Sequence, residues 1–145
     1  MIDTNDYLDT LKDIVDSGHE ASMIITGNSM APFLYHGRDV IYFSRPQRPL
    51  RRGDMAFFRR PDGKYVMHRI VRKKGKDYYF LGDNQTQIEG PIPESLIFAV
   101  VTRVKRKGRI LGPYSFWWLF FKHIWINMIP LRHQITDLYK NLRSS

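Results

Sequence analysis

Asp54-Met55-Ala56-Phe57-Phe58-Arg59-Arg60-Pro61-Asp62-Gly63-Lys64-Tyr65-Val66-Met67-His68-Arg69-Ile70-Val71-Arg72 is the stretch on which the fold turns. Two short apolar and aromatic runs flank Pro61-Asp62-Gly63-Lys64. In such a tetrapeptide proline presets one backbone angle and glycine accepts a left-handed one, so the chain reverses. The stretch therefore reads as strand, hairpin turn, strand. The same texture extends outward on both sides. Met23 to Thr26, Asp39 to Phe43, Asp77 to Leu81 and Leu96 to Arg106 read as further strands. Gly37, Pro46, Pro49, Gly53, Gly75, Gly82 and Gly90-Pro91 punctuate them. Short strands at this spacing predict a mainly β fold, a small, partly closed β-barrel or sandwich.

The ends differ from this middle. Residues 6–17 read as a helix capped by Asn5 or Asp6 and stopped by Gly18, with Tyr7, Leu11, Ile14 and Val15 on one face. Residues 113–131 are very apolar and carry three tryptophans, but Lys122, His123 and Asn127 interrupt them. A spanning helix needs about 20 consecutive apolar residues, and this segment falls short. With Arg106, Lys107, Arg109 and Arg132 flanking it, two readings stand. It is an interfacial helix at a membrane surface or exporter, or it packs on this domain or a partner protein. Residues 132–145 read as a short polar helix with Ile135, Leu138, Tyr139 and Leu142 on one face. The expected organisation is an N-terminal amphipathic helix (1–20), a β domain (21–110) and a C-terminal aromatic and basic helical segment (111–145).

The 145 residues suit one domain with a real core. There is no cysteine, which excludes disulfides, thiolate zinc sites and cysteine nucleophiles. His19, His36, His123 and His133 show no metal-ligand spacing, so neither a metal nor a cofactor is expected. The net charge of +9, from 23 Lys and Arg against 14 Asp and Glu, suits an anionic surface or acidic peptides. Nucleic acid is not an expected partner, because no recognised nucleic-acid motif accompanies the charge. The opening Met1-Ile2-Asp3-Thr4-Asn5-Asp6 is acidic where an export signal would be basic, so no signal peptide is expected.

Four residues offer chemistry. Ser29 lies in Thr26-Gly27-Asn28-Ser29-Met30-Ala31-Pro32, just after a strand. His68 lies inside a strand. Asp83 ends another in Gly82-Asp83-Asn84, and Glu89 follows six residues later. A hydroxyl, an imidazole and two carboxylates are the parts of a nucleophilic acyl-transfer site. Each also has an ordinary reading: a turn serine, a half-buried strand histidine, a hairpin aspartate and a solvated loop glutamate.

The order of these motifs carries a resemblance. Ser29-Met30-Ala31-Pro32 resembles the S-M-x-P box of type I signal peptidases. Arg38-Asp39-Val40-Ile41 resembles the strand that follows it, and Gly53-Asp54-Met55-Ala56-Phe57-Phe58 the next Gly-Asp block. His68-Arg69-Ile70 stands where bacterial signal peptidases and the related self-cleaving SOS repressors carry Lys-Arg. The histidine form resembles the endoplasmic-reticulum and archaeal enzymes. Gly82-Asp83-Asn84 is similar to the family's G-D-N box. The resemblance covers about residues 21–107.

That resemblance implies a serine endopeptidase on a β domain of signal-peptidase type. Ser29 would be the nucleophile and His68 the general base. A carboxylate would orient His68. Both Glu89 and Asp83 are candidates, with Glu89 favoured although the family usually has aspartate there. Asn28, Met30 and Pro32 would shape the oxyanion and substrate site. The implied partner is a peptide or protein substrate with a leader or signal-like segment. The expected location is cytoplasmic or peripheral at the inner face of the cell membrane, with residues 113–131 making the membrane or exporter contact. The alternative is a catalytically inactive module on the same fold that binds peptides by adding them to an exposed strand.

Overall fold

The computed structural model describes residues 4–128. It contains α1 (Thr4–Asp16), β1 (Ala21–Ile24), β2 (Val40–Ser44), β3 (Met55–Arg59), β4 (Tyr65–Lys74) and β5 (Asp77–Leu81). These are followed by β6 (Glu89–Pro93), β7 (Ile97–Arg106), β8 (Arg109–Leu111) and α2 (Phe116–His123). Every strand pairing is antiparallel. The strand order is β1-β2-β7-β3-β4-β5-β6, with β8 also paired to β7. The sheet is open, because β1 and β6 end it without meeting. The expected mainly β fold with flanking helices is present, but it does not close into a barrel. Register shifts at Tyr42/Phe43, Phe57/Phe58, Ile70/Arg72 and Tyr78/Phe80 curl it instead.

The Pro61-Asp62-Gly63-Lys64 turn joins β3 to β4 as read. Gly63 N–H donates to the Arg60 carbonyl and Arg60 N–H to the Lys64 carbonyl, both at 2.8 Å. Strand side chains alternate between faces, and β3 has both faces covered. Met55 and Phe57 join one apolar cluster with Phe33, Phe43, Val101 and Trp118. Ala56 and Phe58 join another with Leu50, Ile70, Tyr78 and Phe80.

α1 presents Leu11 and Val15 to the first cluster, with Leu8 against it. Tyr7 and Ile14, expected on the same face, are 45% and 37% exposed. Residues 8, 11 and 15 trace the stripe that the 3.6-residue period allows, and Tyr7 and Ile14 fall together on one flank of it, beside Leu11. Gly18, with φ of 94°, ends the helix. There His19 N–H donates to the Ile14 carbonyl and Gly18 N–H to the Val15 carbonyl, which satisfies two end carbonyls.

The C-terminal aromatic segment is shorter in helix than its composition suggested. α2 spans eight residues, and a 3-10 turn follows at Trp125–Asn127. Trp118, Phe121 and Trp125 are buried in the same cluster as α1 and β3. Segments 4–20 and 111–128 therefore bury side chains in one core together with the sheet. No helix among the described residues is long and apolar enough to cross a membrane. The helix expected over 132–145 lies outside the described residues.

Candidate active site

Ser29 sits in a loop pinned at both ends. Ile25 N–H donates to the Asp39 carbonyl at 2.8 Å, and Gly37 N–H to the Ile25 carbonyl at 2.9 Å. Gly27 N–H donates to His36 Nδ1 at 2.9 Å. Gly27 has φ of 78°, a left-handed conformation that glycine adopts without steric cost. Beyond Ser29 the chain plunges inward, with Met30 2% exposed and Phe33 and Leu34 fully buried. Arg106 Nε donates to the Phe33 carbonyl at 2.7 Å. Asp39, fully buried, accepts from Tyr35 N–H, the Arg38 guanidinium and Lys107 N–H. These ties leave Ser29, itself half-buried, little freedom.

The Ser29 carbonyl is tied to a distant turn. It accepts from Asn84 N–H at 2.8 Å. Gly82 is what permits this approach, because a Cβ there would lie 2.5 Å from the Ser29 carbonyl oxygen. The glycine in Gly82-Asp83-Asn84 thus has a contact reason, separate from turn geometry.

His68 lies on β4 opposite Ala56 of β3 and is 7% exposed. It lines the same cavity as Ser29, of about 260 Å³, together with Thr26, Gly27, Met30 and Arg60. Burial pushes the imidazole pKa down to about 4; Glu89 and Asp83 pull it up, and Arg60 reinforces the depression. At neutral pH it is uncharged, the form that accepts a proton. Its Nδ1 is buried and has no hydrogen-bond partner among the described residues.

Asp83 does something other than face His68. Both its carboxylate oxygens are held by Arg69, at 2.8 Å from Nε and 2.9 Å from Nη2. The two side chains are 0% and 1% exposed. The remaining guanidinium nitrogen of Arg69 donates to the Gly53 carbonyl at 2.9 Å. The Asp83 carbonyl accepts from Trp125 Nε1 at 2.8 Å, which ties the C-terminal segment to the G-D-N turn. Asp83 lines neither the Ser29 cavity nor the one beyond His68.

Glu89 opens β6, opposite Phe80 of β5, and is not in a loop. It lines a second cavity, of about 660 Å³, together with His68 and Arg60. Arg60 holds it by two bonds, Nε to Oε2 at 2.9 Å and Nη2 to Oε1 at 2.7 Å. Those hydrogen bonds keep the Glu89 carboxyl below the usual carboxylate range, against the opposing effect of burial.

The expected residues therefore divide. Ser29, His68 and Met30 share one cavity. Glu89 does not line that cavity and shares with His68 only the second one. Asn28 is exposed, and its carbonyl accepts from Ala31 N–H at 3.2 Å. Pro32 is half-buried and offers its carbonyl to Arg106 Nη2 at 3.4 Å. Neither side chain lines the Ser29 cavity. Three contributors escaped the sequence reading: Arg60, which lines both cavities; Tyr65 at the cavity wall; and Arg69 as the partner of Asp83. Tyr65 O–H donates to Asp9 of α1. For Arg69 a signal existed, since an arginine inside an apolar strand needs a buried counter-charge.

Ser29 and the uncharged His68 thus share one cavity of an open antiparallel sheet, and the family match that follows makes this a serine peptidase-like fold. Residues 2–105 match the Peptidase S24-like family, and the chain belongs to that family. No curated protein matches the chain.

Proposed function

We propose that the chain is a serine endopeptidase that removes leader or signal-like segments from peptide substrates. Ser29 is the nucleophile and His68 the general base. The observation that carries this reading is the single cavity lined by both residues, with the histidine uncharged at neutral pH. Serine is a weak nucleophile until an adjacent base takes its proton. In the proposed cycle His68 accepts the Ser29 Oγ proton as Oγ bonds to the scissile carbonyl carbon. It then delivers that proton to the leaving nitrogen as the carbon–nitrogen bond breaks. A water molecule, deprotonated by His68, hydrolyses the acyl-enzyme and restores Ser29. The apolar walls of the cavity, including Met23, Ile25, Met30 and Phe57, fit a small or apolar substrate side chain.

The test is incubation with leader-like peptides read by mass spectrometry, with Ser29→Ala alongside. Cleavage by the wild type and none by the variant is expected. Cleavage at full rate by the variant would overturn the proposal. One observation favours the second reading, a peptide-binding module: Arg60 occupies the carboxylate that would orient His68. Peptide binding without product from the wild type would select it.

The partner of α2 is proposed to be an anionic lipid surface. Phe116 is 70% exposed, Trp117 45% and Ile124 52%, next to Tyr114 at 92%. The Arg106 guanidinium carbon lies 5.4 Å from the Trp117 ring centre, and Lys107 and Arg109 are exposed on the adjacent hairpin. Aromatic rings flanked by cations complement an anionic headgroup layer. Sedimentation with phosphatidylglycerol vesicles, but not phosphatidylcholine vesicles, is expected. Replacing Phe116 and Trp117 together by glutamate should weaken it more than about ten-fold, since each ring contributes about 2 kcal/mol on burial. No sedimentation with either vesicle would overturn this assignment.

A further inference from the structure

Two features beside His68 are unexplained by the chemistry above. Its buried Nδ1 has no partner among the described residues, although an orienting acceptor there is what a serine–histidine pair needs. The carboxylate nearest that role, Glu89, is held instead by two bonds from Arg60. Arg60 lines the Ser29 cavity as well as the Glu89 cavity. Among the residues lining the Ser29 cavity it is the one with a formal charge. Neither partner of the Arg60–Glu89 pair is deeply buried, with side chains 38% and 31% exposed. An ion pair so exposed is weak and open to competition.

We infer that Arg60 is a substrate-gated positioning residue. At rest it holds Glu89 away from His68. A substrate carboxylate entering the Ser29 cavity takes the guanidinium and releases Glu89 to accept a hydrogen bond from His68 Nδ1–H. This inference rests on the peptidase reading and names its substrate class, peptides that place a carboxylate beside the scissile bond. That carboxylate is an Asp or Glu side chain or the C-terminus of a short peptide.

The electrostatics around the imidazole agree. The charged groups acting on it are Glu89 from β6, Arg60 from the β3–β4 turn and Asp83 from the turn before β6. Asp83 is committed to Arg69, so Glu89 and Arg60 are the pair free to change. Arg60 disfavours the imidazolium and Glu89 favours it. Drawing Arg60 to a substrate and Glu89 to Nδ1 both raise the basicity of His68, at the moment the Ser29 proton must move.

The test is an NMR pH titration of the His68 imidazole in wild type, Arg60→Gln and Glu89→Gln. Each is measured alone and with three probes: a blocked tripeptide with a glutamate side chain, its glutamine counterpart, and a tripeptide whose one carboxylate is its C-terminus. In wild type, a carboxylate probe should raise the titration midpoint by about one pH unit or more. The glutamine probe should not. Which of the two carboxylate probes acts identifies the source. Arg60→Gln should titrate higher without any probe and respond to none, and Glu89→Gln should lose the response. With a cleaved acidic peptide, the acid limb of kcat should lie above that of kcat/KM, because the first reports the complex and the second the free enzyme. A merely structural Arg60 would move neither limb. A midpoint unmoved both by Arg60→Gln and by the carboxylate probes overturns the inference. So does equal binding of the glutamate and glutamine probes. If Arg60→Gln does not fold, the wild-type arm decides alone. The titration needs no turnover, so its failure is distinct from cleavage that survives Ser29→Ala.

Discussion

Asp83→Ala is expected to destabilise the fold by about 3–5 kcal/mol, because it leaves the Arg69 guanidinium buried without its counter-charge. The two side chains are almost wholly out of water and joined by two bonds of 2.8 and 2.9 Å. The replacement also empties the space beside the Trp125 tether, since the Asp83 carbonyl holds that indole. A loss of this size is a large share of the about 5–15 kcal/mol that keeps a domain folded. Asp83→Asn should cost nearly as much, because an amide keeps the shape but not the charge. Urea denaturation followed by tryptophan fluorescence would measure it. A wild-type midpoint for Asp83→Ala would show that the Arg69 charge finds another partner and would make Asp83 available again as an orienter of His68. The exposed Glu20–Arg103 pair, by contrast, is held in solvent and should be nearly silent when broken.

The second large effect concerns His68. His68→Ala should lower kcat/KM for a cleaved peptide by about a thousand-fold or more, since Ser29 would lose its base. The wild-type profile should also be unusual for a histidine base. With the pKa at about 4, kcat/KM should stay level well below pH 6 and fall only as the imidazole protonates. A profile that falls near 6.5 would mean the ring is solvated, not buried. Stability carries the same signature. The unfolded chain takes up this proton near 6.5 and the folded one near 4, so between those values the unfolded state binds more protons. Stability is therefore complete above about 6.5 and drains away as pH falls toward 4, by about 3 kcal/mol from this group. His68→Gln should remove that component. Comparing the two proteins at pH 7 and about pH 5.5 separates it from carboxylates such as Glu89, whose stabilisation drains only as pH falls through the ordinary value of 4.5 toward its own lowered pKa.

Much of the fold was legible because local chemistry and global structure agree. The Pro61-Asp62-Gly63 turn and the strands on either side of it follow from side-chain type alone. β6 did not read as a strand, because Gly90-Pro91 and Pro93 look like turn residues. It is an edge strand, where a proline without N–H costs the ladder nothing. β8 has three residues, too few for any period to register. Ser29 and His68 were legible as parts with an ordered motif around them. The carboxylates were not assignable, because their roles are set by arginines distant in sequence. Arg60 meets a glutamate 29 residues away and Arg69 an aspartate 14 away. Nothing local distinguishes a solvated arginine in Arg59-Arg60 from one aimed into a cavity.

The place of β7 in the strand order has a bearing on biosynthesis. β1 pairs with β2, and β3 to β6 pair in sequence, so each group is a local meander. β7 alone joins them, pairing with β2 along one edge and β3 along the other. Ser29 belongs to the first group and His68 to the second. A nascent chain whose synthesis has not passed Ile97–Arg106 therefore carries Ser29 and His68 without the strand that joins their two groups, and has only side ties such as Asn84 N–H to the Ser29 carbonyl. The proposed site is therefore completed late in translation, once all of the sheet but β8 has been made.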